Sequence, residues 1–211
     1  ANICIPVYYK ISNLFFKYHL KTNSNLTINS KLIVSLTTFP ARIDRIWIVV
    51  ESIMRQSIRP EKILLFLSNE QFKNDLSDLP RNLKSMQKRG LEIVICTDDF
   101  KSHKKYYYAF KKFPTYNIIT IDDDFIYPSW LISDLIKLNN KYPDFICCNR
   151  ALKIIVNERD LLPYKKWPLI INDKVNSSNL FFTSGGGTLF PPNSFNKEIF
   201  NKSIFMKYCK N

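Results

Sequence analysis

Near the middle of the chain, an apolar run ends in three adjacent carboxylates: Ile118-Ile119-Thr120-Ile121-Asp122-Asp123-Asp124. A short apolar run rich in β-branched residues is typical of a buried strand, predicted here over residues 117–121. In open α/β sheets, ligands bind beyond the carboxyl ends of the strands. We therefore expect the aspartates to lie at a ligand site.

Three neighbouring carboxylates repel one another unless a cation neutralises them. Mg²⁺ and Mn²⁺ bind carboxylate oxygens together with substrate phosphate oxygens, so they need no dedicated protein cage. The sequence therefore predicts a metal site at Asp122 and Asp124, where the ion would bridge a diphosphate. The alternative is an acidic turn that caps a helix near Ser129, although a cap requires only one carboxylate.

Strand-like runs alternate with helical patterns on both sides of this stretch. The predicted strands cover residues 31–36, 62–67, 91–96, 117–121 and 144–148. Apolar spacing predicts helices after an N-cap at Asp44, in a short segment that ends at Gly90, over residues 103–113 and over residues 130–140. Such alternation indicates βαβ units, and we predict a single α/β domain with a central, mostly parallel sheet.

The composition limits the class of protein. The chain has 211 residues, and its 31 Lys and Arg against 18 Asp and Glu leave a formal net charge of +13, which favours anionic partners. A hydrophobic content of 45% excludes wholesale disorder. Five cysteines without paired spacing and only two histidines argue against a zinc site and suit a reducing, cytoplasmic setting. No run reaches the roughly 18 apolar residues that span a bilayer, so we expect a soluble or peripheral protein.

The first thirty residues form a separate pattern, in which lysines are interspersed among apolar residues at helical spacing. The apolar positions are Val7, Tyr8, Ile11, Leu14, Phe15 and Tyr18. A basic amphipathic helix can lie in a membrane interface, here as a peripheral element on the inner face of the cell membrane. Docking on its own domain is the interpretation that we favour. We also expect the positive charge to concentrate beside this helix and residues 101–112, which would leave the aspartate cleft acidic until a metal binds.

Four segments together resemble the GT-A glycosyltransferases, in particular bacterial enzymes that build surface polysaccharide and lipopolysaccharide. They lie between residues 32 and 195: Val34-Ser35-Leu36-Thr37-Thr38-Phe39-Pro40-Ala41-Arg42-Ile43, Ser102-His103-Lys104-Lys105-Tyr106-Tyr107, Ile119-Thr120-Ile121-Asp122-Asp123-Asp124-Phe125-Ile126-Tyr127-Pro128 and Ser184-Gly185-Gly186-Gly187-Thr188-Leu189-Phe190-Pro191-Pro192. The resemblance implies a Rossmann-like GT-A domain over residues 31–211. It further implies Mn²⁺ or Mg²⁺ as cofactor, a UDP-sugar as donor, and a glycan or lipid-linked acceptor bound by the looser region after Arg150.

The resemblance also implies roles for individual residues. One loop would border the nucleotide base and ribose through Thr37, Thr38, Phe39, Pro40 and Arg42. The alternative for Arg42 is a surface ion pair with Asp44 or Glu51. Besides the metal pair, Asp123 would contact the donor.

Three further pairs or loops complete the implied donor site. Asp98 and Asp99 end a strand where similar enzymes contact the base. Lys104 and Lys105 open a helix, where the dipole favours anions, and would approach the donor; a solvated helix face is the alternative. A loop near the transferred sugar would consist of Gly185, Gly186 and Gly187, because glycine lets backbone approach a ligand closely.

The catalytic base is not identified. An inverting enzyme of this type needs a carboxylate to deprotonate the acceptor hydroxyl. Similar proteins carry an acidic segment shortly after the part that corresponds to residues 205–209. We therefore expect that the base lies beyond Asn211 in a chain truncated at its C-terminus, or that Asp173 serves instead.

Two rival functions fit parts of the pattern. Asp122 and Asp124 have the spacing of the nucleophile motif of haloacid-dehalogenase-type phosphatases, but that motif lies on the first strand and continues with Thr or Val where this chain has Ile126. The net charge and the lysines and tyrosines of residues 101–112 suit a nucleic-acid-binding domain. Three carboxylates at the ligand edge oppose that function, so we predict no nucleic-acid partner.

Overall fold

The computed structural model describes residues 4–15, 28–73, 76–77, 79–157, 160–170 and 179–208. The helices are α1 (Cys4–Phe15), α2 (Ile46–Met54), α3 (Asn69–Phe72), α4 (Arg81–Gln87), α5 (Lys104–Lys112), α6 (Leu131–Lys141) and α7 (Lys202–Tyr208). The strands are β1 (Ile28–Thr37), β2 (Arg59–Ser68), β3 (Leu91–Cys96), β4 (Asn117–Thr120), β5 (Cys147–Cys148), β6 (Ala151–Lys153), β7 (Val156–Asn157), β8 (Asp160–Leu161), β9 (Leu169–Ile170), β10 (Leu180–Phe182) and β11 (Thr188–Phe190).

A six-stranded sheet in the order β3-β2-β1-β4-β11-β5 forms the centre of the fold. The neighbours from β3 to β4 run parallel, and β11 is antiparallel to both β4 and β5. The predicted α/β class and the mostly parallel sheet are therefore confirmed. The insertion of β11 between β4 and β5 was not predicted, because its partners lie far from it in sequence.

The central strands are buried on both faces. Leu32, Ile33, Val34 and Leu36 of β1 are fully buried, which explains why this strand reads as a continuous apolar run instead of an alternating one. Helices α2, α4 and α6 pack on one face and α5 packs on the other. This arrangement leaves the carboxyl ends of the strands open between the helix layers.

Two predicted boundaries are wrong. Asp44 is not the N-cap of α2: the 3-10 turn Pro40–Arg42 and the turn after it delay the helix, and Arg45 precedes its first residue. Strand β5 covers only Cys147–Cys148, since residues 143–146 form a turn and an irregular segment after α6.

Helix α1 is docked on the domain by the side opposite to the predicted apolar face. Tyr9 is buried, and the Arg55 side chain donates hydrogen bonds to the Ser12 hydroxyl (2.6 Å) and the Asn13 side chain (2.9 Å). The predicted apolar face is exposed at Val7, Tyr8, Ile11 and Leu14. Of the other predicted positions, Tyr18 and the side chain of Phe15 lie outside the described part of the chain. None of the helices in the described ranges has the length and hydropathy that a membrane crossing requires.

The region after Arg150 builds two small antiparallel units. Strands β10, β6 and β9 form a three-stranded sheet, and β7 pairs with β8. Helix α7 then returns to the main body, where Phe205 packs edge-on against Phe100 at 5.0 Å. Phe181 and Phe182 of β10 lie along the open edge of the main sheet.

Candidate active site

The strand order reverses between β1 and β4, which are parallel neighbours in the sheet. Ligands of open α/β sheets bind at such a switch point, beyond the carboxyl ends of the strands. Thr38 follows β1 and Asp122 follows β4, so both lie at this edge. The glycine loop reaches the same edge, because β11 is antiparallel and begins at Thr188, opposite Thr120.

A cavity of about 1120 Å³ opens at this edge. Its lining comes from segments that are far apart in sequence, so local pattern alone does not require them to meet. The predicted site residues that line it are Thr37, Thr38, Phe39, Arg42, Lys104, Lys105, Asp122, Asp123, Asp124 and Gly185. The predicted residues that do not line it are Pro40, Asp98, Asp99, Gly186 and Gly187, and Asp173 lies outside the described residues.

Asp122 is held from three sides. Its backbone N–H donates to the Tyr127 hydroxyl (2.9 Å), and Oδ1 accepts from Ser184 (2.8 Å) and from the ammonium group of Lys105. Tyr127 is buried, and burial raises its pKa above the ordinary value, so the hydroxyl stays protonated. The position of this carboxylate is therefore set by the fold before any ligand binds.

Asp123 and Asp124 differ in how far their oxygens are used. Asp123 accepts from the Thr38 hydroxyl (2.6 Å) on one oxygen and from Arg42 (2.6 Å) on the other, and its side chain is only 11% exposed. Asp124 accepts from Arg42 (3.0 Å) on one oxygen and is 46% exposed. Asp123 thus serves the loop after β1, whereas Asp124 faces the cavity. The alternative of a surface ion pair between Arg42 and Asp44 or Glu51 is wrong, because Arg42 pairs with Asp123 and Asp124.

The free carboxylate oxygens of Asp122 and Asp124 decide whether a divalent cation fits the site. Among the described residues, no three His, Cys, Asp or Glu side chains group as a complete metal site. Asp122 and Asp124 each keep one carboxylate oxygen that accepts no hydrogen bond from a described residue, and both line the cavity. Mg²⁺ is commonly held by one or two carboxylates with phosphate and water supplying the other ligands. The donor set therefore fits an ion that is completed by a phosphate-bearing ligand.

The two lysines at the start of α5 are buried, so the solvated-face alternative is wrong. Lys104 is 2% exposed and pairs with Asp99 at 2.6 Å. Lys105 is 3% exposed and also donates to the carbonyl of Ile121 (3.0 Å). Burial alone raises the pKa of Asp99, but hydrogen bonds from Lys101 and Lys104 outweigh it and leave that pKa below its ordinary value.

Asp98 and Asp99 act on the lysines instead of lining the cavity. Asp99 anchors Lys104, as described, and Asp98 pairs with Lys202 at the start of α7. Asp99 therefore orients a buried lysine of the cavity wall, whereas Asp98 pairs with a lysine that does not line the cavity.

The cavity carries an excess of positive charge, which corrects the expectation of an acidic cleft. The three aspartates face Arg42, Lys105 and Lys104 together with Lys101 and Arg150. Carboxylates and cations are interleaved closely enough that Lys105 and Arg42 already neutralise part of the aspartate charge. Such a surface can accept an anion such as a diphosphate.

The glycine loop is explained mainly by packing. A Cβ on Gly186 would lie 2.6 Å from the Cβ of Arg150, and Gly187 has φ +80° and lies against Leu131. Only Gly185 borders the cavity, where an added Cβ would stand 3.4 Å from an Asp122 carboxylate oxygen. Two of the three glycines thus serve the turn into β11, in contrast to the expected approach to a sugar.

The hydroxyls of Thr37 and Thr38 are also committed within the protein. Thr37 donates to the carbonyl of Phe66 (2.7 Å) and Thr38 to Asp123. Each hydroxyl has one proton, so toward a ribose it can only accept. Phe39 presents its ring at the cavity, with the Arg42 guanidinium 5.3 Å from its centre.

Several lining residues were missed from sequence. Arg150 donates to the Thr183 hydroxyl at 3.0 Å, and Tyr164 and Phe181 form an aromatic wall. They come from the irregular region after β5, where neither periodicity nor a motif marks them. No Asp or Glu of the described residues lines the cavity apart from the three aspartates.

Comparison with known proteins does not assign the chain to a family. No family model and no curated protein matches the sequence. Among the solved structures that it resembles is an apo UDP-glucose pyrophosphorylase, with 11% sequence identity and a TM-score of 0.44 over 83% of this chain and 78% of that chain. Function therefore has to be inferred from the residues of the site.

Proposed function

We propose that this protein is a glycosyltransferase of the GT-A type, which moves a sugar from a nucleotide-diphosphate donor, a UDP-sugar, to a glycan or lipid-linked acceptor. One observation carries the proposal. At the switch point of a parallel sheet, one cavity holds two carboxylates with free oxygens, Asp122 and Asp124, next to the cations Arg42 and Lys105. That combination suits a divalent ion and a diphosphate bound side by side.

Asp122 and Asp124 would hold Mn²⁺ or Mg²⁺, and the ion would stabilise the charge that develops on the leaving diphosphate. Lys105 keeps Asp122 in position by direct contact. Arg42 can exchange its pairing with Asp124 for a phosphate oxygen, because its side chain is partly exposed at the cavity. The Phe39 ring offers a flat surface against which a nucleotide base can stack.

Calorimetric titration tests the donor site directly. We expect UDP to bind in the presence of Mn²⁺ and to lose at least about tenfold in affinity in EDTA, since the ion would supply the bridge between the carboxylates and the diphosphate. UMP is the matched control, because it lacks the second phosphate and should bind weakly under both conditions.

The same titration separates the rivals. Tight binding of an oligonucleotide without metal, with no binding of UDP, would indicate a nucleic-acid-binding domain. Release of phosphate from p-nitrophenyl phosphate with Mg²⁺, again without UDP binding, would indicate a phosphatase. Either result would overturn the proposed function.

We also propose that the protein attaches peripherally to an anionic bilayer at the cytoplasmic face. The exposed stripe of α1, formed by Val7, Tyr8, Ile11 and Leu14, presents apolar side chains at i, i+1, i+4 and i+7 on a helix that the domain holds by its other side. The net charge of +13 complements anionic head groups. An amphipathic surface with both features binds at a membrane interface.

Liposome co-sedimentation tests this attachment. Replacement of Val7, Ile11 and Leu14 by serine is expected to lower partitioning onto vesicles of phosphatidylserine and phosphatidylcholine by at least about tenfold, because apolar contact is lost. Serine at Val156 and Leu161, which are equally exposed on the β7–β8 hairpin, provides the matched control. Equal partitioning of both variants would contradict the proposal. A wild-type protein that is a dimer, and an α1 variant that is a monomer, would also contradict it, because the exposed stripe would then be a dimer interface.

A further inference from the structure

An aromatic platform forms one wall of the cavity and lies on the region that follows β5. It consists of Tyr164, Trp167 and Phe181, whose ring centres are 5.5–5.9 Å apart in edge-to-face arrangements. Tyr164 is 51% exposed and Phe181 is 44% exposed, and both line the cavity. These rings therefore do not fill the core.

The platform is held rigidly from below. Phe181 lies on β10, paired with Leu152 of β6, and the next residue, Phe182, packs edge-on against Phe190 of the core at 5.3 Å. The Trp167 indole donates its N–H to the carbonyl of Leu162 (2.9 Å), so its polar atom is already satisfied. What Tyr164 and Phe181 offer to a ligand in the cavity is apolar surface in a fixed position, and Trp167 packs against both rings.

The edges of the platform are polar. Arg150 and Thr183 line the same cavity, and the Arg150 guanidinium donates to the Thr183 hydroxyl at 3.0 Å. A pyranose ring has the matching chemistry, since its C–H groups form an apolar face and its hydroxyls form a polar rim. A lipid tail has no groups for the polar edge, so the surroundings favour a sugar.

The position of the platform indicates which sugar it would hold. The charged residues Asp122, Asp124, Lys105 and Arg42 occupy the part of the cavity at the strand ends, where the donor diphosphate is proposed to bind. The platform lies on the separate unit built from β6, β9 and β10. One cavity thus has a charged part and an aromatic part, which suits two different substrates.

We propose that the platform binds a pyranose ring of the acceptor, so that the acceptor is a glycan recognised through at least one sugar that stacks on the Phe181 ring and contacts the nearly perpendicular Tyr164 ring beside it. This inference rests on the proposed glycosyltransferase function, which assigns the charged part of the cavity to the donor. The proposed function allows a glycan or a lipid-linked acceptor, and this inference selects the glycan.

Saturation-transfer NMR and calorimetry with a panel of oligosaccharides test the platform. The panel contains hexasaccharides of glucose, galactose, mannose and N-acetylglucosamine, and dodecanol serves as the apolar probe. We expect at least one saccharide to bind the wild type and Phe181→Ala to weaken that binding by about 3- to 10-fold, the range of a single aromatic contact. Phe145→Ala, at a similarly exposed ring outside the cavity, should bind like the wild type.

Two further readouts keep the outcomes distinguishable. Mn²⁺-dependent UDP binding should be the same in Phe181→Ala and wild type, and Tyr164→Ala takes over the test if Phe181→Ala does not fold. The acceptor proposal would be overturned if no saccharide binds the wild type, or if Phe181→Ala loses binding of dodecanol and not of a saccharide. If UDP binding is intact in either case, the donor proposal stands. A third outcome is that Phe181→Ala weakens saccharide binding but the wild type does not bind UDP. That result would support a glycan-binding site and overturn the glycosyltransferase function.

Discussion

Replacement of Asp122 by asparagine is expected to lower sugar transfer, measured as UDP release from the donor, by about 10²–10³-fold in kcat/KM. Asparagine keeps the shape of the side chain but removes the charge that would bind the divalent ion. It also removes the countercharge of Lys105, whose side chain is 3% exposed. Both effects act on the atoms next to the proposed position of the diphosphate, so a large loss is expected from a change of one atom.

Two companion variants separate charge from damage to the fold. Asp124→Asn removes the second carboxylate but leaves no buried lysine behind, so it should lower Mn²⁺-dependent UDP affinity while the melting temperature stays near that of the wild type. Asp144→Asn, the same substitution at an exposed position outside the cavity, should change neither. Activity of Asp122→Asn within threefold of the wild type would contradict the metal site.

Replacement of Glu51 by glutamine is expected to destabilise the protein by about 3–5 kcal/mol, measured by urea unfolding. Glu51 is fully buried and binds two cations, Arg55 at 2.8 Å and Arg89 at 2.6 Å. Arg55 lies four residues after Glu51 along the chain, whereas Arg89 comes from the segment after α4. Glutamine removes the buried carboxylate that both guanidinium groups contact, and breaking a buried ion pair costs more than the pair itself contributes.

The control for this variant is Asp134→Asn, which breaks the exposed pair with Lys137 on α6. Exposed pairs contribute up to about 1 kcal/mol, so this variant should unfold almost like the wild type. A loss below 1 kcal/mol for Glu51→Gln would show that the network is not required for stability.

The pH dependence of stability provides a second measurement on Glu51. Burial alone raises the pKa of this carboxyl, but Arg89 and Arg55 outweigh it, so the folded-state pKa lies below the ordinary value. A group with a depressed pKa contributes its stability above the unfolded-state pKa of about 4.3. That contribution is lost as the pH falls through the folded-state pKa. The difference in stability between wild type and Glu51→Gln should therefore shrink on acidification.

The sequence by itself determined the main strands and the edge at which the site lies. The apolar run at residues 31–36 needs burial on both sides, and burial in a sheet between helix layers meets that need. Aspartates that directly follow such a strand must stand at its carboxyl end, whatever the rest of the fold does. Strand β3 was predicted with its observed bounds. The glycine turn at Gly90 marks its start, and the end of the apolar run at Cys96 marks its end.

Only the tertiary structure decided which groups meet at that edge. Spacing shows which residues share one side of a helix but not what covers that side. For this reason a solvated helix face was an open alternative for Lys104 and Lys105, although Asp99 and Asp122 draw them into the interior. For the same reason the apolar spacing of α1 did not show which of its sides docks on the domain. The pairing of β11 with β4, which brings Gly185 to the aspartates, joins segments about 70 residues apart, and it depends on contacts that no local pattern contains.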